Sequence, residues 1–139
     1  MNYPKNLSCT DIQLLFFRIT VGGMMCLAHG WPKLAHFQET ATVFPNVFGL
    51  GSLTSLALTV FAEFFCALAV VLGLATRLAL IPLVITMSTA AFVVHGPDSF
   101  QKKELALVYL CAFIFLFFSG SGRYTVGRLI TNIWRSADH

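Results

Sequence analysis

Apolar residues along this chain gather into four long runs, roughly 12–31, 53–74, 78–95 and 105–119, with polar residues collected in the stretches between them. The second run, LTSLALTVFAEFFCALAVVLGL, has one charge in 22 residues. As a helix rising about 1.5 Å per residue it crosses a bilayer core of about 30 Å. The fourth run reaches only about 22 Å by the same rule, and Lys102 and Lys103 extend it by snorkelling. The pattern predicts four membrane-spanning helices. Backbone groups in hydrocarbon must be bonded within their own helix, so a chain this small packs as one up-down-up-down bundle. Lys5 precedes the first run, but Arg18 interrupts it and no small-x-small cleavage site follows. It reads as a retained first span, not a signal peptide.

The connections add two shorter elements. The stretch 75–77 is tight, so the second and third spans are antiparallel neighbours, and the loop at 96–101, with Pro97 and Asp98, is also short. The longest connection, 32–51, has Leu34, Phe37, Ala41 and Phe44 at helical spacing up to Pro45. That predicts a short interfacial helix on the outer face, then a turn through Asn46 and Gly49 to Gly51. After the fourth run, Val126, Ile130, Ile133 and Trp134 alternate with Arg128 and Arg135. This predicts a basic amphipathic helix on the anionic inner leaflet; the alternative is a short frayed tail. The expectation is an all-α membrane protein, a single domain over 1–139. It comprises a four-transmembrane-helix up-down bundle, a short outer interfacial helix and a C-terminal amphipathic cytoplasmic helix.

Composition removes the soluble alternative. The chain is 57% hydrophobic and 11% charged, with mean hydropathy +0.77, where a soluble domain carries about 25% charge. Lys5, Arg77, Arg123, Arg128 and Arg135 fall on the side of the termini, against Lys33, Lys102 and Lys103 on the other. The bias places both termini in the cytoplasm. No nucleotide-binding glycine loop, haem motif or nucleic-acid signature occurs, so the bilayer is the first partner. Cys9, Cys26, Cys66 and Cys111 form no CxxC pair, which disfavours dithiol chemistry of the vitamin K epoxide reductase type. Cys9 falls near the cytoplasmic surface, and Cys26, Cys66 and Cys111, within the spans, read as small apolar fillers.

The polar residues within the runs carry the functional question. Glu63 lies near the bilayer midplane, where an uncompensated charge costs several kcal/mol. On the first helix Arg18, Gly22, Met25 and His29 form one stripe, and Gly22 and Gly23 admit a close neighbour. Counted from the outer helix ends, Arg18 is about 20 Å deep and Glu63 about 15 Å. The expectation is an Arg18–Glu63 pair, either a working site or a structural clamp. A second set, His29, Lys33, His95 and Glu104, gathers at the outer ends of the helices. It has the donors to bind a metal, to hydrogen-bond a quinone head or to shuttle protons, or it merely caps helix ends at the interface. No metal-spacing motif exists. Tyr109, one turn into the fourth span, offers a hydroxyl inside the bundle or simply packs there. No residue earns a catalytic assignment.

Several pieces taken in order resemble one family. They are Arg18 in the first span, HGWPKL at 29–34, Glu63 in the second span, Gly73-Leu74-Ala75-Thr76-Arg77, and His95. Lys103-Glu104-Leu105-Ala106-Leu107 and Gly120-Ser121-Gly122-Arg123-Tyr124-Thr125 complete the set. Over about 14–129 the chain resembles the DoxX family of small four-helix bacterial membrane proteins. It departs at Ser121, where the family usually has Pro, and at Gly127, where Asp is frequent. The resemblance implies membrane location and a four-helix bundle. The family's name links it to a thiosulfate:quinone oxidoreductase subunit, and other members look like membrane partners of redox or detoxification enzymes. Three expectations arise from it. One is a redox-associated inner-membrane subunit holding a quinone or lipid-like molecule between helices, lined by Arg18, His29, Glu63 and Glu104. Another is a non-catalytic scaffold that recruits a partner enzyme. The third is a small-solute or proton-coupled transporter, which in so small a chain needs a homo-oligomer.

Overall fold

The computed structural model describes residues 9–137, with side chains to 132. Every regular element among them is a helix. We number them α1 Cys9–Ala35, α2 Phe37–Val43, α3 Ser52–Leu72, α4 Thr76–Val94, α5 Phe100–Ser119 and α6 Val126–Ala137. Three of them, α1, α3 and α4, are long and apolar enough to cross a membrane. α5 has 20 residues, but Lys102, Lys103 and Glu104 occupy its first turns and leave 105–119 as its apolar part. The short helix expected before Pro45 is α2, and the amphipathic tail helix is α6.

Local chemistry sets the breaks. His36 leaves helical geometry at φ −112° and separates α1 from α2. α3 ends at Gly73, whose φ of +73° suits a residue without a Cβ. Leu74 N–H donates to the Ala69 carbonyl at 2.9 Å and Gly73 N–H to Val70 at 3.1 Å, closing a Schellman cap. Ala75 comes next at φ +41°, and α4 starts at once. Later in the chain, Thr125 caps α6: its hydroxyl accepts from the Arg128 backbone N–H at 3.2 Å.

α1 packs along α3, and α4 along both α3 and α5. The core between them is apolar, built on Leu56, Val70, Leu80, Leu83, Phe113 and Leu116. The surface is apolar too: Phe16, Leu27, Leu78, Phe92, Val108 and Phe118 all point outward. Meanwhile Arg18 and Glu63 are buried. A fold that exposes phenylalanines and encloses charges matches a hydrocarbon surrounding.

Two glycines fix how α1 sits on α3. A Cβ on Gly22 would meet Val71 at 2.9 Å and the Ala67 carbonyl oxygen at 3.3 Å. On Gly30 it would lie 2.5 Å from the Glu63 carbonyl oxygen. The two helices thus touch backbone to backbone at Glu63. Three helices also widen into π-helical turns: Met25–Gly30 in α1, Phe61–Cys66 in α3 and Ala90–Val94 in α4. Their i→i−5 bonds run from Trp31 to Cys26, Ala67 to Ala62 and His95 to Ala90. Such turns insert a residue and rotate the helix beyond them, often at functional sites.

The contact at Gly30 predicts a contrast. Gly30→Ala drives a methyl into backbone and costs about 1–3 kcal/mol. Gly23→Ala, where nothing lies within 4 Å, is neutral or stabilising by about 0.5–1 kcal/mol through helix propensity. Thermal unfolding of the two variants in detergent, followed by circular dichroism, checks this; equal midpoints would remove the argument for close α1–α3 packing.

Candidate ligand-binding site

The close contact at Gly30 decides which charges meet. Arg18 lies twelve residues back along α1, about 18 Å, and does not reach Glu63. Lys33 does: its Nζ donates to Glu63 Oε2. The expected Arg18–Glu63 pair is therefore corrected to Lys33–Glu63. The depth count had measured from helix ends, whereas the glycine contact slides α1 along α3. The side chain of Glu63 is 6% exposed and that of Lys33 25%.

Arg18 is 1% exposed and serves the opposite end of the bundle. Its Nη1 donates to the Ser121 carbonyl at 2.6 Å and its Nη2 to the Tyr124 carbonyl at 2.7 Å. It thereby clamps the turn between α5 and α6 onto α1. Gly73 lies against this clamp, since a Cβ there would come within 2.8 Å of Arg18 Nη1.

Around the Lys33–Glu63 pair lies a cavity of about 530 Å³. α3 supplies Ser55, Leu58, Thr59 and Glu63; α4 supplies Ile85, Thr86, Thr89, Ala90 and Val94; His95 closes one edge. The connection after α2 adds Phe44, Pro45, Val47, Phe48 and Leu50. That loop is tied down: Val47 N–H donates to Ser55 Oγ at 3.1 Å, and Gly51 N–H to Asn46 Oδ1 at 2.8 Å. Phe48 adopts φ +54°, a strained backbone for an aromatic residue that places it over the cavity. The volume and mainly apolar wall, with a few polar groups, are those of a small-molecule site.

The remaining sequence-named residues take separate places. His29 meets Tyr109 edge-on at 5.4 Å, and Tyr109 stacks on Phe113 at 5.9 Å. Both rings lie within electrostatic reach of Glu63. His95 Nδ1 is 2.9 Å from Asp98 Oδ2, and Lys102 Nζ is 3.5 Å from Asp98 Oδ1. The His95 hydrogen bond, helped by Lys102, holds the Asp98 carboxyl below its ordinary range. A depressed carboxyl favours the folded state at neutral pH and loses that effect only as pH falls through the lowered value. Glu104 is exposed near the start of α5. His29, His95 and Glu104 are thus not gathered, and no group of three or more His, Cys, Asp or Glu suited to a metal occurs among the described residues.

The residues missed from sequence are the hydroxyls and the loop. Ser55, Thr59 and Glu63 recur every fourth residue on α3, a polar stripe legible in the chain. Thr86 and Thr89 on α4 had no such marker.

A family model described as DoxX matches residues 13–96, well over half of the chain. That stretch contains Arg18, His29, Lys33, Glu63 and His95, and stops before α5. No curated protein and no solved structure matches the chain.

The buried pair predicts non-additive stability. Glu63→Met or Lys33→Met alone strands one charge and costs toward the lower end of about 3–5 kcal/mol, because Lys33 keeps partial exposure. The double variant Lys33→Met/Glu63→Met restores wild-type stability or exceeds it. Unfolding in detergent for all four proteins measures the coupling; strictly additive losses would contradict the pairing.

Proposed function

The chain belongs to the DoxX family, and from that premise we propose that this membrane protein holds a quinone or a similar lipid-like molecule in the cavity at Glu63 and Lys33. It would act there as a redox-associated subunit of the bacterial inner membrane. The observation that carries this reading is the cavity itself: apolar walls from α3, α4 and the loop over them, with one ammonium–carboxylate pair inside. An isoprenoid or acyl tail suits the walls. A carbonyl oxygen suits Lys33, whose ammonium has three protons and spends one on Glu63. His95, with Nδ1 engaged by Asp98, lines the edge.

The bilayer placement is part of the same reading. α5 serves as the fourth span, with Lys102 and Lys103 at one interface. The excess of arginines at the α6 end turns that end, and both termini, to the cytoplasm.

The test is mass spectrometry of the full chain extracted gently from its own membrane. Wild type, Glu63→Gln and Thr59→Leu, which fills the cavity without touching the pair, are compared at equal folded fraction. A stoichiometric quinone or related molecule in wild type, lost in both variants, is expected. An empty cavity in wild type, with a protein partner recovered equally from all three, would overturn the proposal in favour of a scaffold.

A further inference from the structure

The opposite end of the bundle holds a second arrangement that owes nothing to the Glu63 cavity. The α3–α4 reversal, the turn at 120–124 and the start of α6 enclose a chamber of about 1040 Å³. Its charged lining is Arg77, Arg123 and Arg128 against one carboxylate, Asp11. Asp11 is already engaged: it accepts from the Arg123 backbone N–H at 3.1 Å and lies 3.9 Å from that residue's Nε. Among the described residues, three cations line this wall with one anion. α4 starts at this wall, and no side chain caps its first N–H groups, so its helix dipole adds to the positive potential. Thr76, in that first turn, is 5% exposed, and its hydroxyl has no partner among the described residues.

A second cavity of about 560 Å³ adjoins the first and shares Arg123 and Arg128 with it. Its walls are mainly apolar: Leu15 and Ile19 of α1, Val71 and Leu72 of α3, and Leu129 of α6. Arg18 borders it, and its Nε is the other buried side-chain nitrogen or oxygen without a partner among the described residues. The two orphaned polar groups thus flank one pair of joined chambers, basic on one side and apolar on the other.

We propose that this end of the bundle binds one anionic phospholipid. The phosphodiester sits in the basic chamber on Arg77, Arg128 and the α4 N-terminus. An acyl chain lies in the groove between α1, α3 and α6. A free inorganic anion would account for the arginines but not for an apolar groove that shares two of them. α6 supports the lipid source independently, since Leu129 and Ile130 are exposed beside Arg128, the mixture that suits an anionic leaflet.

The test is native mass spectrometry of the full chain in detergent, titrated with phosphatidylglycerol, phosphatidylcholine or inorganic phosphate. One phosphatidylglycerol is expected to bind about tenfold or more tightly than phosphatidylcholine. Arg77→Gln/Arg128→Gln, two exposed positions with unchanged unfolding midpoint, is expected to lose about tenfold or more of that binding. Ile19→Trp, which fills the groove, is expected to weaken phosphatidylglycerol while the basic chamber stays intact. Equal retention of the two lipids, undiminished binding in the arginine variant, or phosphate alone binding as tightly as the lipid would overturn the proposal. Glu63→Gln leaves this binding unchanged, so the two sites stand or fall separately.

Discussion

The contact between Gly30 and the backbone of Glu63 is the constraint on which the rest of this bundle turns. With no side chain at that point, α1 and α3 close to backbone contact, and their relative position is set. Lys33, one turn further along α1, then reaches the Glu63 carboxylate. Arg18, about 18 Å earlier, falls level with the turn that leads into α6 and is bound there by two carbonyls. Each charge inside the apolar helices finds its partner as a consequence of one register. A shift of a single turn would leave a carboxylate and a guanidinium in an apolar interior with no compensation, which is far costlier than the lost packing.

The π-helical turns work within that register. Those in α1 and α3 lie against each other and carry His29 and Glu63. The third, in α4, ends at His95. An extra residue in a turn rotates the helix beyond it, so His29 faces Tyr109 on α5 while Lys33 faces α3. The regular stripe of Arg18, Gly22, Met25 and His29 is broken by that rotation. The same widening in α3 and α4 falls along the wall of the cavity. Local departures from ideal helix geometry and the site coincide, as is common where a helix must present a polar group to a ligand.

Legibility in the chain depended on which forces are local. Apolar run lengths gave the helices, because span length is a property of each segment alone. Pro45 marked a break for the same reason. Glu63 and Lys33 stood out as polar residues beside apolar runs. Their pairing did not, because it depends on how far α1 slides along α3, and counting from helix ends assumes both end at one level. Ser55 and Thr59 were visible as a stripe with Glu63 but are too common in apolar helices to single out. Loop 44–50 became part of a wall only through its bonds to Ser55 and Asn46. The basic chamber was hidden for a related reason: Arg77, Arg123 and Arg128 come from three separate segments that only the closed bundle brings together.

The two cations of α1 answer the same electrostatic demand in different ways, and the difference separates structure from function. Arg18 is enclosed, and two of its nitrogens go to backbone carbonyls of a turn that Asp11 also ties to α1. Removing it loosens a connection. Lys33 keeps a quarter of its side chain exposed and shares a cavity wall with the carboxylate it neutralises. A pair needed only for register would be expected to close over completely, because each exposed edge admits water or lipid headgroups that weaken it. Apolar residues of equal volume would hold the helices at least as well. A half-open pair beneath a strapped loop, lined on α3 by hydroxyls at matching spacing, is better explained by something that enters the cavity and bonds to it.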